Sequence, residues 1–72
     1  MKGNLKMNIN LFHFGYNTLT NTVVATNGPI TVVLDIVKNG LKIDPIQTNV
    51  KTDHPQTAKI VLAAARWHRR NQ

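Results

Sequence analysis

Arg66, Trp67, His68, Arg69 and Arg70 stand together near the end of the chain and hold every arginine and the only tryptophan in it. Guanidinium groups are planar, permanently charged forks suited to carboxylate, phosphate or base edges. An indole beside them adds a large apolar face for packing or stacking. Such a cluster grips an anionic surface; it does not by itself break or form a bond. The plainer role is electrostatic, because cations at a helix C-terminus offset its partial negative charge by about 0.3–1 kcal/mol each. One or two suffice for that, and three arginines within five residues exceed it. Trp67 reads first as core packing and second as a partner contact. His68 reads as an ordinary exposed helix residue.

Catalytic chemistry has little to build on. The chain contains no serine and no cysteine, which removes the two commonest nucleophiles and any thiolate metal site. The only carboxylates are Asp35, Asp44 and Asp53, each placed where a turn, a helix cap or a solvated face would use it. His13, His54 and His68 form no pair at helical spacing, so no metal centre is expected. No glycine belongs to a phosphate-cradling motif, and no cofactor is expected. The residues point to a binding protein and away from an enzyme.

The charge supports that reading. Six lysines and three arginines face three aspartates and no glutamate, for a formal charge of +6. An excess of this kind attracts polyanions or acidic protein surfaces. At 72 residues the chain makes one small domain, over residues 1–72, with a loose start expected over residues 1–7. The longest apolar run is Ile60 to Ala65, far short of the roughly 20 residues of a membrane span. Asn8 and Asn10 interrupt any apolar stretch of a secretion signal. A monomer in the cytoplasm is the expectation.

The elements that position the cluster follow from pattern. Thr57 to Ala65 is strong helix-forming sequence, started either by Asp53 with Gln56 as a capping box or by His54 with Pro55 in the first helical position. On that helix Ile60, Val61, Ala64 and Trp67 share one stripe. Lys59, Ala63, Arg66 and Arg70 share another, with Arg69 nearby. Ile9, Leu11, Phe12, Phe14 and Tyr16 read as a strand, either bulged near Leu11–Phe12 or buried on both faces. The β-branched run from Thr22 to Thr26 is its hairpin partner. Asn27-Gly28 resembles a tight turn, but Pro29 follows with no N–H to close it, so a change of element is expected there. Ile30, Val33, Leu34 and Val37 have helical spacing, and Asn39-Gly40-Leu41 resembles a helix stop. A second short helix over residues 30–39 is therefore predicted, with a strand and a hairpin turn to Leu41–Ile43 as the alternative. The expected fold is α+β, a small single domain with an N-terminal β-hairpin packed against a C-terminal helix.

Short length, basic charge, abundant Asn and Thr, and the lack of Cys and Ser together resemble small bacteriophage host-takeover proteins. More narrowly, the chain is similar in size and character to the RNA polymerase-binding inhibitors of lytic phages of plant-pathogenic bacteria. The likeness is one of texture and transfers no residue by position. It implies a protein partner, the host bacterial RNA polymerase, with promoter initiation blocked and terminators read through in the host cytoplasm. Arg66, Arg69, Arg70, Lys59 and Trp67 are the candidate contacts, with Phe12, Phe14 and the N-terminal Lys2 and Lys6. The alternative function is direct binding of single-stranded nucleic acid or of a duplex backbone. The aromatics of the first strand bear on that alternative, although no RNA-recognition or cold-shock signature surrounds them. A structural role in a virion is a third possibility.

Overall fold

Residues 11–71, described by the computed structural model, form four antiparallel strands and one helix. Strand β1 covers His13–Asn17, β2 Thr22–Asn27, β3 Ile30–Val37 and β4 Gly40–Ile43, and helix α1 covers Pro55–Arg70. The strands lie side by side in chain order, and α1 packs across one face of the sheet. The fold is α+β, with the expected N-terminal hairpin and C-terminal helix, although β1 starts only at His13, with Leu11 and Phe12 outside it. The predicted loose start, with Lys2 and Lys6, lies outside the described residues.

The predicted second helix is a strand. Six of the eight residues of β3 are β-branched, which favours extended backbone. The helical spacing was accidental. Val32, Val33 and Leu34 are all buried, on alternating faces of the sheet, so the centre of the strand has no polar side to betray a period of two. A continuous apolar run then mimics the i, i+3, i+4, i+7 pattern of a helix. β4, named only as part of the alternative, pairs Ile36 with Leu41 and Leu34 with Ile43.

The turn at Pro29 also departs from expectation, and by a shift of one residue. Asn27 pairs with Ile30, so the two central turn residues are Gly28 and Pro29. Proline in the second central position needs no N–H, because that group would point to solvent. Gly28 has φ +56°, and a glycine first followed by a residue of fixed negative φ is the arrangement of a type II′ hairpin turn. At the next hairpin Lys38 and Asn39 span the turn from Val37 to Gly40, and Gly40 takes the positive φ of +145°.

The core lies between sheet and helix. Phe12, Val23, Ala25, Val32, Leu34, Ile60 and Ala64 form its buried cluster. The phase slip at Leu11–Phe12 has a simple origin. β1 begins after it, and Phe12, Phe14 and Tyr16 keep one alternation. Among the described residues, buried side-chain polar groups are paired, as their desolvation requires. Thr57 Oγ1 donates to the Lys51 carbonyl at 2.7 Å, and Thr22 and Thr20 hydroxyls are 2.8 Å apart.

β4 is half the length of β3, and the following loop completes the edge that it leaves. Asp44 N donates to the Val33 carbonyl at 2.8 Å and Asn49 N to the Thr31 carbonyl at 3.0 Å. Thr48 Oγ1 accepts from Val33 N at 3.0 Å, and Asn49 Oδ1 from Thr31 N at 2.8 Å. Asp44 organises this loop. Its carboxylate accepts from Ile46 N at 2.9 Å and from Gln47 Nε2 at 2.9 Å. Those bonds, that of Gln47 first, hold the Asp44 carboxyl below its ordinary value of 3.8. A depressed folded value means that the contribution to stability is complete above about pH 4 and is lost as pH falls through the folded midpoint. Side-chain NMR titration should give Asp44 a midpoint below 3.8, and Asp44→Asn should show a shallower loss of stability on acidification than the parent chain.

Candidate partner-binding surface

Helix α1 is started by His54. Its Nδ1 accepts from Gln56 N at 3.1 Å, and Pro55 occupies the first helical position. Of the two caps the sequence allowed, the histidine one is used. The helix then buries Thr57, Ile60 and Ala64, with Val61 and Trp67 partly buried against the same core. This is the predicted inner stripe.

The final turns are held by aromatic contact with β1. The Trp67 indole lies 6.0 Å from the Phe14 ring at an interplanar angle of 26°, and 4.7 Å from the Tyr16 ring at 45°. Both arrangements fall in the favourable range for ring pairs. Tyr16 OH is 2.8 Å from His68 Nδ1, and the two rings meet edge to face. His68 is thus half-buried and engaged, contrary to the expectation of an ordinary surface residue. Asn71 closes the helix, its side-chain Nδ2 donating to the Trp67 carbonyl at 2.8 Å.

With Trp67 turned inward, the neighbouring arginines are turned out. Arg66, Arg69 and Arg70 are all exposed. Among the described residues, no hydrogen bond or ion pair takes up any of their guanidinium groups. Arg69 and Arg70 lie in the last turn, where they also complement the helix dipole; Arg66 lies before it. Lys59 is exposed on the same helix.

Arg66 and Arg69 border a cleft of about 600 Å³ between α1 and the β3–β4 hairpin. Leu62 and Ala65 continue their stripe at i, i+3, i+4, i+7 spacing, and Ile36, Lys38 and Leu41 face them from the hairpin. Leu62 is 61% exposed, and Ile36 and Leu41 are partly buried in the same lining, so the cleft offers apolar surface ringed by cations. No protein family, curated protein or solved structure matches this chain. The surface must be read on its own chemistry.

The candidate contacts divide sharply. Arg66 and Arg69 reach the cleft, while Arg70 and Lys59 are exposed outside its lining. Phe12 is 6% exposed and belongs to the core; it presents nothing to a partner in this fold. Phe14 and Trp67 pack on one another and on the core. Lys2 and Lys6 are outside the described residues. Lys38, Val37 and Leu62 were not singled out from sequence, and only the spacing of Leu62 from Arg66 and Arg69 could have found one of them. Among the described residues no helix is long and apolar enough to cross a membrane, and no His and Asp side chains gather as a metal site.

Trp67→Ala removes the ring that holds the helix end. The half-buried position should cost about 2–3 kcal/mol in denaturant unfolding, below the ~3–5 kcal/mol of a fully buried aromatic. Tyr16→Phe keeps the ring contacts and loses the hydroxyl, so it should cost no more than about 1 kcal/mol.

Proposed function

We propose that this chain is a small binding protein whose cationic helix end docks on an acidic surface of a protein partner. Following the resemblance in size and composition, that partner is bacterial RNA polymerase, and the outcome is altered transcription: blocked initiation and readthrough at terminators. The observation that carries the reading is the division of labour within five residues. Trp67 is committed to the fold, while Arg66, Arg69 and Arg70 are exposed and unpaired among the described residues. Arginine is a frequent anchor of protein interfaces, and a few anchors can displace a much larger competitor.

Direct nucleic-acid binding draws less support. Base stacking needs open aromatic faces, and Phe14 is stacked on Trp67 while Tyr16 packs against it at a tilt. Nor does the apolar floor of the cleft gain anything from a phosphate. Like charge on every copy, at +6, also disfavours self-association through this surface.

The test is capture of purified bacterial RNA polymerase on the immobilised chain, with nuclease present. The parent chain should retain polymerase. The triple change Arg66→Gln, Arg69→Gln and Arg70→Gln should abolish retention and lower stability by less than about 1 kcal/mol, because exposed helix-end charges are screened at physiological salt. Retention that vanishes with nuclease would replace this reading by direct nucleic-acid binding. In that case the affinity for duplex should fall with a log–log salt slope of about −3 to −4, for three or four phosphates neutralised.

A further inference from the structure

The cleft specifies its occupant more narrowly than the arginines alone do. Its charged rim is Lys38, Arg66 and Arg69, and among the described residues no carboxylate lines it. Its floor is Ile36, Leu41, Leu62 and Ala65. Lys38 comes from the β3–β4 turn and the arginines from α1, so the cations stand on both sides of an apolar trough. Solvent-exposed leucine between cations is an unfavourable surface to leave in water and a favourable one to cover. A volume of about 600 Å³ holds a few large side chains, within the usual range of binding clefts.

We infer that this cleft binds a short acidic, amphipathic segment of the partner, which places one or two large apolar side chains on Leu62 and Leu41 and its carboxylates against Lys38, Arg66 and Arg69. This deepens the proposed function and rests on it for the identity of the partner, but not for the chemistry of the site. Other occupants fit less well. A second copy of this chain has only Asp35, Asp44 and Asp53 to offer, and Asp44 already serves its own loop. A nucleic acid would bring phosphates to the rim but find no open aromatic platform among the described residues, where His68 is the one ring in the lining and is engaged by Tyr16.

The experiment is an NMR titration of the isotope-labelled full chain. The probe is a capped peptide of about twelve residues with one phenylalanine and one leucine among aspartates and glutamates. Amide shifts should concentrate at residues 36–41 and 62–69. A peptide of equal charge with both apolar residues replaced by serine should bind more weakly. Leu62→Asn, at an exposed position that leaves the core untouched, should weaken the first peptide about fivefold or more, as truncation of an interface anchor does. Lys38→Gln should weaken both peptides. Equal binding of the two peptides, or shifts centred elsewhere, would overturn the inference. So would a single-stranded oligonucleotide of the same charge that occupies the cleft more tightly. Polymerase capture separates the two levels. If the arginine triple loses capture while Leu62→Asn keeps it in full, the cleft inference fails and the proposed function stands. If the peptide binds as described but polymerase is not retained, the cleft stands and the partner is wrong.

Discussion

The contact of Trp67 with Phe14 and Tyr16 sets the orientation of everything that follows it in the chain. A helix has one rotational degree of freedom about its axis once it lies on a sheet. Ile60 and Ala64, fully buried, fix it in the middle, and the indole fixes it at the end. At 100° per residue, the stripe of Thr57, Ile60, Ala64 and Trp67 on the sheet leaves Arg66 and Arg69 on the outer face, and Arg70, three residues past Trp67, exposed at its flank. Without that aromatic contact the last turns would be held by the Tyr16–His68 hydrogen bond and the Asn71 cap, and exposed bonds of that kind are individually weak.

The sheet gives this contact its platform, and its hairpins follow local turn chemistry. Gly28 before Pro29 and Gly40 after Asn39 place positive φ where only glycine takes it without strain. The loop from Asp44 to Asn49 continues the pairing of β3 beyond β4, which protects an edge that would otherwise expose free backbone groups. The β3–β4 hairpin then does a second task. It carries Lys38 and Leu41 to the flank of the helix beside Leu62, and so turns a charged helix face into a concave one.

The helix was legible from sequence because its signals agreed. Pro55 marked the start, Thr57 to Ala65 had high propensity, and Ile60, Val61, Ala64 and Trp67 shared a face. The β1–β2 hairpin was legible for similar reasons. β3 was misread because burial on both faces erased its alternation, and Pro29 because the turn register was taken one residue early. The first of those misreadings left β4 and the Lys38 turn to the alternative. The arginines were visible as a cluster of one residue type. The cleft was not, since it depends on contact between residues 36–41 and 62–69, which are far apart in the chain. Phe12 and Phe14 show the converse: aromatic content marked them as contacts, but a small sheet with one helix needs its aromatics inside.

Charge on a small protein becomes a binding surface only if its own backbone and neighbours leave it unused. Here the fold satisfies its buried groups internally and keeps its arginines out of that network. The most direct measurement is ¹⁵Nε relaxation of the arginine side chains in the free chain, alongside the Trp67 indole. The account predicts mobile Arg66, Arg69 and Arg70 guanidinium groups, with order parameters below about 0.6, beside a Trp67 indole near about 0.85. Rigid arginines of the same order as the indole would show that the fold already holds them, and would contradict it.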